Sequence, residues 1–165
     1  MSNRKVMEVI NETVSGVLEQ TAFMFPEPVD MVSGVSFENF EYILVKLNFS
    51  GEKNGDIKMI IPIDFCAELS ANLLGEDIGD VDPEENNFDS AKELLNIVSG
   101  QILVNLFGNK ALFSLTDLIV EKLEKDAFFS IIEGCEYHCC MVDDYPILTI
   151  YTLQETANEC QSISG

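Results

Sequence analysis

Basic side chains are scarce in this sequence. Nine Lys and Arg stand against 29 Asp and Glu, for a formal net charge of −20 at pH 7. A surface this acidic repels a phosphate backbone or an anionic bilayer instead of gathering it, which argues against nucleic acid and anionic lipid as partners. Histidine is rarer still. His138 is the only one, so there is little material for a Ser-His or Cys-His catalytic set. No apolar run reaches the roughly 18 residues of a membrane helix. The longest uncharged stretch, Leu94 to Asn109, falls short and carries Asn96 and Asn105 inside it. The first residues, MSNRKVMEVINETVSG, are interrupted by Glu8, Asn11 and Glu12 and do not form the apolar segment of a signal peptide, so a cytoplasmic location is expected. No phosphate-cradling Gly-rich loop, dinucleotide fingerprint or Cys-x-x-Cys pair occurs. The five cysteines are odd in number and, without an export signal, read as reduced thiols.

What the sequence has is apolar material. Hydrophobic residues make up 47% of 165 positions, enough for the core of one domain covering the whole chain. Between Asn3 and Phe25, Val6, Ile10, Val14, Val17, Thr21 and Met24 fall on one side of a helix, and Pro26 and Pro28 stop it. Tyr42–Phe49 and Asp56–Ile63 read as a hairpin around the Gly51–Gly55 turn. A second helix follows, capped by Asp64 and ended by Gly75. An acidic loop leads to a third helix, opened by Asp89 or Ser90 and closed by Gly108 and Asn109. Four apolar runs remain: Ala111–Leu123, Ala127–Ile132, Tyr137–Val142 and Ile147–Leu153. They read as strands, the last two as a hairpin, and the polar tail from 154 to 165 as loosely held. The expected fold class is α/β of the α+β type, with a mainly antiparallel sheet and helices packed on one face.

The third helix carries the constellation of interest. Ala91, Leu95, Val98, Ile102 and Leu106 form a core stripe, while Glu93, Asn96 and Gly100 lie opposite at i, i+3 and i+7. They make one ridge with a carboxylate, a carboxamide and a bare backbone patch in successive turns. A glycine inside a helix costs about 1 kcal/mol relative to alanine, so Gly100 wants a reason, such as a second backbone coming close. From spacing alone, an ordinary solvated helix face explains the same residues.

The stretch Asp89-Ser-Ala-Lys-Glu93-Leu-Leu-Asn96-Ile-Val-Ser-Gly100 resembles the signature helix of the CheC, CheX and FliY family of response-regulator phosphatases. The preceding hairpin, the helix ending Leu73-Leu74-Gly75 and the first helix ending Phe23-Met24-Phe25 are also similar to CheX-like proteins, so the resemblance covers about residues 6 to 153. One departure is Phe113-Ser-Leu-Thr-Asp-Leu, which lacks the proline that relatives often carry there and leaves the path of the next strand open. The resemblance implies a protein that hydrolyses the aspartyl phosphate of a CheY-type receiver. Asn96 would orient the water, Glu93 would pair with a receiver lysine, and Gly100 and Asp89 would meet the partner. It implies no cofactor of the chain's own, because the Mg²⁺ is carried by the receiver. A homodimer is expected from CheX-like relatives and from apolar strands at Ala127–Ile132 and Tyr137–Leu153 that leave sheet edges to cover. A non-catalytic adaptor of the same fold is the alternative.

Two further groups stand out. Glu8-Val-Ile-Asn11 is a second Glu-x-x-Asn on a face read as exposed. Seven residues beyond Glu8 stands Ser15, and Gly16 is rotated away, so the copy reads as an out-of-register echo whose activity stays open. Cys135, His138, Cys139 and Cys140 crowd together, but adjacent strand residues point to opposite faces. They read as small buried cysteines beside a half-exposed histidine rather than a zinc site.

Overall fold

A computed structural model describes residues 2–29 and 37–154. The tail beyond 154, expected to be loosely held, lies outside the described residues. The chain runs α1 (Asn3–Ala22), β1 (Glu27–Pro28), β2 (Tyr42–Gly51), β3 (Gly55–Pro62), α2 (Ile63–Leu74), a 3₁₀ turn (Ile78–Asp80), α3 (Asp89–Phe107), β4 (Phe113–Leu115), β5 (Ile119–Leu123), α4 (Lys125–Ile132), β6 (Tyr137–Val142) and β7 (Tyr145–Leu153). The seven strands form one sheet in the order β1-β6-β7-β3-β2-β4, with β5 also pairing to β2. Every pairing is antiparallel.

Local chemistry explains the ends. Ser2 accepts from the Lys5 amide to start α1, and Phe23 in the left-handed region (φ 55°) stops it, with the Met24 amide returning to the Leu18 carbonyl. The β2–β3 turn closes with the Gly51 amide donating to the Asn54 side chain. Gly55 begins β3 where a Cβ would run into the Thr152 carbonyl oxygen of β7 and the Phe49 ring. Helix α2 starts at Ile63 behind an extended Pro62, so Asp64 sits in its first turn instead of capping it.

Alternation along the strands builds two cores. Ile43, Val45, Leu47 and Phe49 of β2 and Ile57, Met59 and Ile61 of β3 meet Ile10, Val14, Leu18, Phe65, Leu69, Leu94, Leu95 and Val98 from α1, α2 and α3. Tyr42, Leu44, Ile60, Leu148 and Ile150 project to the other face and meet Phe37 and Phe128. Three helices therefore share one face, and α4 lies on the other.

The segment Ala127–Ile132, expected as a strand, is part of α4. Phe128, Ile131 and Ile132 fall at i, i+3 and i+4 and pack on the sheet, while Phe129 and Ser130 face water. β7 is an interior strand, whereas β6 is covered on its outer side only by the two residues of β1, opposite Met141 and Cys140; of the two strands on which the expected dimer partly rested, β6 alone leaves an edge among the described residues. The stretch without the expected proline makes two short strands against β2. Thr116 breaks them, its hydroxyl accepting from the Asn48 amide while its own amide donates to the Asn48 carbonyl.

Candidate functional site

The candidate site stands on α3, which is held between α1 and α2 and against β2 and β3. Eight of its residues are buried: Ser90, Ala91, Leu94, Leu95, Val98, Ser99, Ile102 and Leu103. Leu94 and Leu103 widen the expected stripe into a broad apolar face. The helix is set in place at its start by Phe88, whose ring is buried although its backbone sits at φ 56° directly after Asn87 at φ 52°. Left-handed backbone is costly for a phenylalanine, and burial of the ring compensates for it. The Ala91 and Lys92 amides both return to the Phe88 carbonyl, and the Ser90 hydroxyl donates to the Cys66 carbonyl of α2.

The remaining face of α3 is free. Glu93 and Asn96 are exposed, and neither makes a hydrogen bond or ion pair with any described residue. Gly100 is half-buried, and a Cβ added there would meet nothing within 4 Å. The glycine is thus not packed against the protein's own backbone. Asp89, at the first helical position, is exposed, favoured by the helix dipole and loosely paired with Lys92 at 3.9 Å. The ridge read from the spacing is present, with its carboxylate, carboxamide and bare patch all facing outward.

The second Glu-x-x-Asn differs. Glu8 is exposed and pairs with Arg4 at 3.3 Å, but Asn11 is half-buried and its Oδ1 lies 2.8 Å from Nε2 of His138 on β6. The exposed face expected for this copy is therefore only half exposed. The cause is tertiary: α1 lies against β6, and β6 carries the histidine. His138 is itself 8% exposed rather than half exposed. Its Nδ1 has no partner, and burial lowers its pKa to about 4. The ring is thus neutral near pH 7, with Nε2–H donating to Asn11. Sequence reasoning missed this pair because its members are 127 residues apart and join only when α1 packs on the sheet.

Of the three clustered cysteines expected to be buried, Cys139 and Cys140 are buried and Cys135 is exposed; Cys66 on α2 is buried as well. Cys139 faces the α4 side of the sheet and Cys140 the other. Burial pushes the thiols of Cys66 and Cys140 up to about 12 and that of Cys139 to about 11, which keeps them protonated and poor nucleophiles. Among the described residues no group of three or more His, Cys, Asp and Glu could hold a metal ion. A cleft of about 750 Å³ opens on the α4 side, lined by Phe37, Phe40, Tyr42, Leu123, Phe128 and Phe129 among others. No ridge residue lines it.

No protein-family model and no curated protein matches the sequence. Solved structures do match its fold, over nearly the full length of both chains. CheX from Desulfovibrio desulfuricans covers 91% of this chain and 99% of its own, with TM-score 0.65 and 16% identity. CheX from Vibrio vulnificus covers 93% and 99%, with TM-score 0.68 and 14% identity. The CheX-CheY-BeF3-Mg²⁺ complex from Borrelia burgdorferi matches over 91% of this chain and 98% of the other, with TM-score 0.64 and 19% identity. The chain has the α+β fold of the chemotaxis proteins of the CheC and CheX type. Within that class its architecture is similar to CheX, as the signature helix had implied.

Proposed function

We propose that this chain is a CheX-like phosphatase that hydrolyses the aspartyl phosphate of a CheY-type receiver in chemotaxis or a related two-component pathway. The observation that carries this reading is the exposed pair Glu93 and Asn96, one turn apart on a rigid helix and followed by the open notch at Gly100. The fold supports the choice of partner, since a similar CheX is solved together with CheY, BeF3 and Mg²⁺. Phosphoryl transfer asks mainly for positioning and electrostatics. A carboxamide both donates and accepts, so Asn96 can hold a water in line with phosphorus without being consumed. Water oxygen attacks phosphorus, the bond from phosphorus to the aspartyl oxygen breaks, and the products are inorganic phosphate and the free carboxylate. Glu93 pairs with a receiver lysine and fixes the register of the two proteins. Asp89 and Gly100 border the contact. The Mg²⁺ belongs to the receiver, and the chain supplies no cofactor. No helix among the described residues is long and apolar enough to cross a membrane, and the proposed setting is the cytoplasm, where such receivers act.

The test is to mix the protein with phosphorylated receivers from its own source and follow loss of acyl phosphate. The native chain should accelerate the loss on at least one receiver. Asn96→Ala should abolish the acceleration with an unchanged melting temperature. Binding of a receiver with no acceleration would assign the chain as an adaptor.

A further inference from the structure

The cleft on the α4 side has no part in the proposed phosphatase chemistry, and its lining is of two kinds. Its walls are aromatic. Phe128 packs between Phe37 and Tyr42, each ring centroid 4.9 Å from its own, and all three are buried. Phe40 stands edge-on to Tyr42 at 6.3 Å and Phe129 edge-on to Phe128 at 5.2 Å. Phe129 is 53% exposed, although the other large apolar residues of α4 pack on the sheet. The rim is acidic: Glu38, Glu41, Glu124 and Asp126 line it, all are exposed, and none of their side chains makes a hydrogen bond or ion pair with any described residue. We propose that this cleft binds a small organic cation, an aromatic or branched alkyl body bearing a quaternary or protonated nitrogen.

Size and charge select that class. A volume of about 750 Å³ is ample for a small molecule. Against the four carboxylates stand two cations, Lys122 and Lys125. Lys122 is already engaged, its Nζ 2.7 Å from Oε1 of Glu84, which lies outside the lining. That hydrogen bond raises the Lys122 pKa, and the charges of Glu41 and Asp82 add to the effect, so the field at this rim favours a positive group. Glu124 and Asp126 flank the start of α4, where the helix dipole offsets part of their charge. Glu38 and Glu41 stand just ahead of β2, at no helix start, and are the carboxylates assigned to the ligand's nitrogen. The rings supply the rest, since an aromatic face attracts a cation through its quadrupole and a hydrocarbon body through its area. Burial raises the pKa of the Tyr42 phenol, so that ring stays un-ionised, and its hydroxyl finds no partner among the described residues. An anion entering the cleft would meet four carboxylates, and a neutral molecule would leave the rim charges unused.

The probe is benzyltrimethylammonium, compared with benzyl alcohol and phenylacetate as neutral and anionic bodies of similar size. Each is titrated into the full chain at about 0.15 M salt, so that general attraction to the charge of −20 is screened, and binding is read by calorimetry. The cation should occupy one site with a Kd on the order of 1 mM or tighter, benzyl alcohol should bind about tenfold more weakly, and phenylacetate should not bind measurably. Phe129→Ala, and separately the double substitution Glu38→Gln with Glu41→Gln, should each weaken the cation roughly five- to tenfold with an unchanged melting temperature. Glu52→Gln, an exposed carboxylate in the β2–β3 turn, should leave its binding unchanged. Should Phe129→Ala fold poorly, the double substitution carries the test. Benzyl alcohol or phenylacetate binding as tightly as the cation would overturn the proposal. So would the lack of a saturable site for the cation, or a site indifferent to both the Phe129 and the paired Glu38 and Glu41 substitutions. None of these outcomes bears on dephosphorylation, which the proposed function assigns to α3.

Discussion

Glu93 and Asn96 are asked to do different work, and substitutions should separate them. Glu93→Ala removes a charge-assisted contact to the receiver, worth on the order of 1.5–3 kcal/mol, so the receiver concentration at half-maximal rate should rise ten- to hundredfold with the maximal rate much less affected. A fall in the maximal rate alone would give Glu93 a role in the transition state. His138 predicts a pH effect that is independent of any activity. In the unfolded chain the ring takes its proton near pH 6.5, and in the folded protein it resists until about pH 4. The unfolded state therefore binds more protons between those values, and stability falls as pH drops from about 6.5 to 4, then levels off. Relative to His138→Gln, the native protein should lose roughly 2–3 kcal/mol between pH 7 and 4.5, read as a melting temperature about 5 to 10 °C lower. Parallel melting curves for the two proteins would contradict the assigned burial.

At the level of elements, α3 is a helix whose two faces are independent. Gly100→Ala adds a methyl into open space and gains helix propensity, so it should be neutral or stabilise by up to about 1 kcal/mol. Gly100→Leu should melt near the native temperature and lose receiver binding, because the added side chain fills the notch beyond Asn96. Early melting of the leucine variant would mean that the notch is closed in solution. Such elements are legible in sequence where length and period agree: α1, the β2–β3 hairpin and α3 each show a sustained pattern. α4 was not legible. Its eight residues supply only Phe128, Ile131 and Ile132 as a stripe, and so short an apolar run carries no decisive period. The exposed Asn96 and the inward Asn11 also follow from the same local spelling, so what distinguishes them is the neighbouring element, β6 beside α1 and solvent beside α3.

For the whole molecule, the unpaired edges among the described residues are the outer sides of β1, β4 and β5 and the part of β6 that the two-residue β1 does not reach. β4 and β5 expose Leu115 and Ile119, at 38% and 47% of their full area, on an edge that natural sheets usually blunt or cover. A homodimer is expected, and sedimentation showing only monomer at micromolar concentration would count against it. The charge of −20 makes self-association weaker at low salt, so the dimer should strengthen as ionic strength rises.

The burial of α3 has one more consequence, which concerns local opening. A helix that gives eight residues to the core between two other helices and the sheet cannot unwind while its neighbours stay folded. Backbone amides from Leu95 to Ile102 should therefore exchange with solvent only through global unfolding, at the slowest rates in the chain and with the full denaturant sensitivity of the protein. Those of Lys125–Ile132, with Phe128 as the only buried residue in its helix, should exchange earlier, through a smaller opening. A partner docking on the ridge then meets a backbone that is already fully ordered, and association carries no entropic cost for winding the helix.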